Sequence, residues 1–206
     1  MLDAIAQYFA DFTWVKAIDM AGLVLGLIYL WLEFKASIWL WLVSVIMPIV
    51  HGYLYWERGL YADFGMEVYY VLAAVYGYAM WRWSRKDREG EKAAELPITH
   101  FPLRRVLPVA LIGLALWGII YWILNTWTDS SVPVCDSFTT ALSMVALWAL
   151  AQKYAEQWLL WLVVDAVCTV LYIYKQIPFT ARLYGFYTVM AVLGYRSWLR
   201  KMTASH

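Results

Sequence analysis

Charge is what this sequence has least of. Only 15% of its 206 residues are Asp, Glu, Lys or Arg, against 64% hydrophobic and 18% aromatic. A soluble domain carries nearer a quarter charged residues. A chain of this size leaves a large share of its surface exposed, so it cannot hide so much apolar area from water. With a mean hydropathy of +0.58, the surrounding solvent must be lipid. The formal net charge is +1, which supplies no basic field for nucleic acid. Two cysteines, Cys135 and Cys168, make neither a disulfide framework nor a metal-ligand pattern. No H-E-x-x-H, G-x-S-x-G or Walker sequence is present, so no enzyme, metal, cofactor or self-powered pump is expected. No span carries the regular arginines of a voltage sensor. The opening residues have no basic n-region and contain Asp3 and Asp11, so no secretory signal is expected there.

What is abundant is apolar length and interfacial aromatics, with 14 tryptophans and 16 tyrosines. A helix needs about 20 apolar residues to cross the hydrocarbon. Seven stretches qualify: Val15–Leu32, Ile38–Trp56, Leu60–Trp81, Val106–Trp127, Val134–Gln152, Trp158–Tyr174 and Pro178–Trp198. They are continuously apolar, which excludes a strand barrel. Residues 1–13 read as a short interfacial helix, with Leu2, Ile5, Ala6 and Phe9 at helical spacing.

Basic residues orient the chain. The polar loop 84–104, with the helix ends beside it, holds Arg82, Arg85, Lys86, Arg88, Lys92, Arg104 and Arg105. With that loop in the cytoplasm, the same side receives Lys35, Lys153, Arg196, Arg200 and Lys201. The other side receives Lys16, Arg58, Lys175 and Arg182. This predicts a multi-pass protein of the bacterial inner membrane, with its N-terminus outside and the tail 201–206 in the cytoplasm.

The first three stretches repeat in the last three. One ungapped register pairs Asp19 with Asp136, Trp31 with Trp148, Trp41 with Trp158, Tyr55 with Tyr172, Tyr70 with Tyr187, Gly77 with Gly194, Tyr78 with Tyr195 and Trp81 with Trp198. One stretch, within residues 105–128, separates the repeats 14–83 and 129–200. Both repeats therefore enter the membrane in the same direction. The predicted fold is an all-α integral membrane protein with seven transmembrane helices, two parallel three-helix repeats joined by one linking helix (3+1+3). Parallel repeats are a transporter plan, with a substrate site near the midplane between them.

Ionisable groups inside spans are costly and tend to act there. Glu67 and Asp165 have no lysine or arginine at matching depth. The register pairs them with Tyr184 and Pro48, so they break the pseudo-symmetry, as an asymmetric ligand would require. Trp158, Trp161 and Asp165 fall along one helix face, where two indoles leading to a carboxylate would stack and neutralise a flat cation. Asp19 and Asp136 read as helix caps. Ser137 and Thr139 are capable of lining an outer vestibule instead. His51 reads as a packed histidine and, with Trp41, completes the set of substrate-site candidates, together with Tyr70 and Tyr187.

The run W-L-L-W-L-V-V-D from Trp158 to Asp165, followed by L-Y-I-Y-K, resembles the signature of the PnuC vitamin transporters. So do G-L-Y-A-D from Gly59, V-Y-G-Y-A-M-W from Val75, C-D-S from Cys135 and the later L-G-Y-R-S-W. The resemblance implies a 3+1+3 fold similar to the SWEET sugar transporters. It also implies facilitated diffusion of an unphosphorylated vitamin, trapped by cytoplasmic phosphorylation. Nicotinamide riboside carriers of that family typically have asparagine at the position of Asp165, glutamine at that of Glu67, and asparagine near Ser44. The two carboxylates here look more like the thiamine branch, PnuT. One carboxylate would bond the aminopyrimidine and another would face the thiazolium. The expectation is thus a thiamine uniporter, with nicotinamide riboside as the alternative and a non-transporting vitamin-binding or sensing protein as the reading from another class. The expected partners are the vitamin and the bilayer, with a homo-oligomer left open.

Overall fold

The computed structural model describes residues 14–57, 61–83, 96–128, 130–176 and 178–204. The expected interfacial helix at 1–13 and most of the polar loop lie outside them. The described backbone forms α1 (Trp14–Phe34), α2 (Trp39–Glu57), α3 (Tyr61–Trp83), a 3-10 turn (Leu103–Arg105), α4 (Val106–Trp127), α5 (Pro133–Ala151), α6 (Gln157–Tyr174) and α7 (Pro178–Ala204). The described elements are all helical, and α4 has the bounds read from sequence. By length and composition α2, α5, α6 and the segment Leu103–Trp127 are able to cross a membrane. The last of these has a mean hydropathy of 2.2.

The chain divides into two compact units, one ending at Val75 and one starting at Tyr76. In the first, α1 packs on α2, and Gly52 of α2 lets Glu67 of α3 approach, with 3.5 Å from a glycine Cβ position to the Glu67 Cβ. In the second, α4 packs on α5, α5 on α6, and α6 on α7. No residue of α4 is buried. A helix apolar on all sides that buries none of its residues is one built to face lipid or another apolar surface.

Two turns at positions paired by the register share a hydrogen-bond pattern. Helix α1 ends with Ala36 in the left-handed region (φ 55°), where the Ser37 N–H bonds Leu32 O at 2.9 Å and the Ala36 N–H bonds Glu33 O at 2.9 Å. At the positions paired by the register, α5 ends with Lys153 at φ 53°. There the Tyr154 N–H bonds Ala149 O at 3.0 Å and the Lys153 N–H bonds Leu150 O at 2.9 Å. Both are Schellman terminations, which satisfy helix carbonyls at the expense of one left-handed residue. Two sequences with few identities thus make the same cap at matching positions. The apolar matches carry the same signal: Trp41 and Trp158, Ala74 and Ala191, and Trp81 and Trp198 are all buried.

The end of α3 docks on the second of these turns. The Trp81 Nε1–H donates to Leu150 O at 3.3 Å, the Lys153 ammonium lies 4.2 Å from the Trp81 ring centroid, and Gln152 Nε2 donates to the Tyr76 hydroxyl at 2.8 Å. The segment leading into α4 docks on the same turn. Thr99 bridges Lys153 and Ala155 through two backbone bonds, at 3.1 and 3.0 Å. Glu156 accepts the Phe101 N–H at 2.7 Å and contacts His100 Nδ1 at 2.7 Å. Arg105 donates to the Tyr154 hydroxyl at 2.9 Å. Glu156→Ala removes the acceptor of the Phe101 N–H and should destabilise the protein by about 1.5–3 kcal/mol. The lower end is expected because His100 is exposed. Thermal unfolding in detergent measures this, and an unchanged midpoint would show that the clasp contributes nothing.

Two cap assignments change. Helix α1 starts at Trp14, so Asp19 lies within the helix rather than at its start, and its side chain lies outside those described. Helix α5 has Val132 at its N-cap with no side-chain cap bond. Asp136 sits in the first turn, where it complements the dipole, and its carboxylate accepts from Ser130 Oγ at 2.7 Å and faces Lys175 Nζ at 3.4 Å.

Candidate functional site

In the second unit the site residues come from α6 and α7. Helix α6 starts as soon as the Schellman turn is complete, so its first turn, Gln157 to Trp161, is fixed by the same bonds that end α5. Trp158 is only 2% exposed. Its ring lies against Gly194 of α7, where a Cβ would come within 2.6 Å, and meets Trp198 edge to face at 6.0 Å. The glycine is therefore needed for close approach of an indole, and one face of that indole is covered. This corrects the expectation that Trp158 stacks a ligand alongside Trp161. Trp158 is a wall that fixes α6 against α7, and its burial also excludes an interfacial-belt role.

Trp161 and Asp165 lie one turn apart further along α6. Asp165 is 7% exposed, and its carboxylate has no hydrogen-bond donor or cation bonded to it among the described residues. Thr169 Oγ1 bonds its backbone oxygen at 2.7 Å instead. Tyr187 of α7 and the Cys168 thiol lie within electrostatic reach of it. Tyr187 continues an aromatic row, edge to face with Tyr184 at 6.0 Å, and Tyr184 stacks on Tyr172 at 5.2 Å.

N-terminal to this carboxylate, the first turn of α6 buries polar atoms that have no partner among the described residues. They are both amide atoms of Gln157 and the indole nitrogens of Trp158 and Trp161. Buried polar groups are ordinarily bonded, and an orphan costs about 1–3 kcal/mol. Gln157 is fully buried and was not among the expected site residues. The signal was available, because the register pairs Gln157 with Leu40, an asymmetry of the same kind that singled out Glu67 and Asp165.

Ser137 and Thr139 do not line a vestibule. Ser137 is 0% exposed, its hydroxyl bonds Pro133 O and Val134 O, and it accepts from Trp117 Nε1 at 3.1 Å, which ties α4 to α5. Thr139 is buried and bonds back to Cys135 O at 3.0 Å and Asp136 O at 3.1 Å. Helix positions with a carbonyl one turn below draw serine and threonine hydroxyls in this way.

In the first unit the structure brings together three of the expected residues. Glu67 Oε1 lies 3.7 Å from His51 Nδ1, and Tyr70 is within electrostatic reach of Glu67. The expectation that Glu67 has no basic partner in the spans overlooked this histidine. His51 is also tilted against Tyr55 at 6.0 Å. Trp41 is buried some ten residues before His51 on α2, about 15 Å along the axis, and does not join that cluster. Ser44 Oγ donates to Trp41 O at 2.9 Å.

A profile of the nicotinamide mononucleotide transporter family matches residues 16–200. The chain is 24% identical to the nicotinamide riboside transporter PnuC of Escherichia coli K12, over 92% of this chain and 86% of that protein. It is 27% identical to the riboflavin/roseoflavin transporter RibM of Streptomyces davaonensis, over 87% of this chain and 83% of that one. The crystal structure of a vitamin B3 transporter PnuC superposes with a TM-score of 0.69 at 23% identity, covering 98% of this chain and 88% of that one, which shows the shared fold. With its profile matched almost end to end, its apolar helices and its PnuC fold, the chain belongs to the nicotinamide mononucleotide transporter (PnuC) family and is a multi-pass membrane transporter, not an enzyme.

Proposed function

We propose that this chain is a uniporter that equilibrates an unphosphorylated cationic vitamin, nicotinamide riboside, across the cytoplasmic membrane, with trapping by phosphorylation inside. Asp165 carries the reading. A nearly buried carboxylate without a bonded cation or donor is expensive in a low-dielectric interior. A flat cation offsets that cost when it binds. Trp161, one turn away, supplies a ring and an unpaired N–H to the same ligand. The name nicotinamide riboside comes from relatives, including PnuC of E. coli and of Neisseria mucosa. Riboflavin, named for RibM, is neutral and leaves Asp165 unbalanced.

A second reading, thiamine, is favoured by one observation. Asp165 and Glu67 are carboxylates where the nicotinamide riboside carriers that the sequence resembles have amides. A carboxylate suits the exocyclic amine of an aminopyrimidine, which only donates. In either reading the arrangement is seven spans in a 3+1+3 order with parallel repeats, similar to SWEET carriers, the N-terminus outside and loop 84–104 in the cytoplasm. The absence of an energy-coupling motif in the sequence supports passive transport.

The test is a set of titrations of the purified protein by calorimetry. Nicotinamide riboside should bind, thiamine should compete with it, and riboflavin should bind at least about tenfold more weakly, the scale of one charged hydrogen bond. Riboflavin binding as tight as that of the two cations would remove Asp165 from the basis of recognition. Tight thiamine binding with no nicotinamide riboside binding would favour the second reading over the first.

A further inference from the structure

An apolar groove of about 660 Å³ runs along the second unit between α4, α5 and α6. Val106, Ala110, Gly113 and Trp117 of α4 form one wall at helical spacing, with Ala141 of α5 and Leu160 of α6 opposite. Its length from Val106 to Trp117 is about 16 Å at 1.5 Å per residue, close to the roughly 15 Å of hydrocarbon in one bilayer leaflet. Leu103 and Val106 line one end, and the two residues between them in sequence are Arg104 and Arg105, both exposed. Arg104 has no ion-pair partner among the described residues. Arg105 makes one bond, to the Tyr154 hydroxyl, and keeps its other donors. The carboxylate at that end, Glu156, also lines the groove, and its two oxygens are engaged by the Phe101 N–H and His100.

The groove therefore combines an apolar channel one leaflet deep with two guanidinium groups at the level of its mouth. We propose that this groove is a binding site for an anionic phospholipid, with an acyl chain along α4 and the phosphate between Arg104 and Arg105. Arginine is suited to a phosphate because its fork donates in pairs, and basic pockets between membrane helices hold anionic headgroups in this way. Charge complementarity selects a lipid over a second copy of the chain, because a second copy would place two pairs of arginines in or beside one apolar interface. An acyl chain also fills a channel whose walls carry almost no polar atoms. Lipid bound there would seat α4, which has no buried residue of its own, against α5 and α6.

The experiment is native mass spectrometry of the full chain in neutral detergent, titrated with dioleoylphosphatidylglycerol and with dioleoylphosphatidylcholine. Phosphatidylglycerol should bind about tenfold or more tightly than phosphatidylcholine, and R104Q/R105Q should abolish that preference. Ala110→Trp, which fills the channel, should reduce binding of both lipids with the arginines intact. Vitamin binding by each variant reports that it is folded. No preference for the anionic lipid, or a preference that survives R104Q/R105Q in a folded protein, overturns the proposal. So does undiminished lipid binding by Ala110→Trp. Efficient disulfide cross-linking between copies through a cysteine at Ala110, unaffected by phosphatidylglycerol, would show a second copy in the groove and overturn it as well.

Discussion

Replacing Asp165 by asparagine is expected to weaken binding of both cations, thiamine tenfold to a hundredfold and nicotinamide riboside less. The change removes one charge from a nearly buried position without changing volume. A hydrogen bond to a charged group contributes about 1.5–3 kcal/mol, which sets that range. Thiamine offers an amine that can only donate, so it loses an acceptor of full charge. Nicotinamide carries a carboxamide, which an asparagine can meet with one donor and one acceptor, as the amide in the nicotinamide riboside carriers that the sequence resembles implies. Glu67→Gln should show the same direction with a smaller effect, because His51 already stands 3.7 Å from that carboxylate. Trp161→Ala should weaken both vitamins by removing a ring. Calorimetric titration of each variant with each vitamin gives the comparison. Equal thiamine affinity for the native protein and a folded Asp165→Asn variant would take this carboxylate out of the site.

The second large effect concerns stability. Gly194→Ala places a methyl group 2.6 Å from the Trp158 ring, inside the contact distance of any carbon. The ring is buried and braced by Trp198, so the strain cannot be relieved by a swing into solvent. Overpacking of this kind costs about 1–3 kcal/mol. Trp158→Phe, with its smaller ring, should be destabilising alone and should absorb part of the cost of Gly194→Ala when the two are combined. Thermal or urea unfolding in detergent measures the coupling. Strictly additive losses would show that the two residues do not press on each other.

The features legible in the sequence were those that depend on position along the chain. Helix α4 begins and ends where its apolar run does, and the duplicated register returns as paired left-handed residues, Ala36 and Lys153, with matching bonds. What was not legible depends on rotation about a helix and on the neighbour it meets. Depth along a span showed Glu67 without a lysine or arginine, but not that α2 turns His51 toward it. The helical face of Trp158 was correct, but not that Gly194 covers the ring. The hydroxyls of Ser137 and Thr139 were read as free for a ligand, whereas the carbonyls one turn below already hold them. Gln157 was not among the candidates. Its full burial depends on how α6 packs and not on its place in the chain.

Passive flux of the vitamin is the property that sets a uniporter apart from a pump or a receptor. Purified protein reconstituted in liposomes, with labelled nicotinamide riboside outside and neither ATP nor an ion gradient present, should bring the label to equal concentration on both sides. Unlabelled nicotinamide riboside preloaded inside should accelerate entry of the label by counterflow. Accumulation above the outside concentration that depends on a proton or sodium gradient would contradict uniport, and saturable binding without any flux would contradict transport altogether.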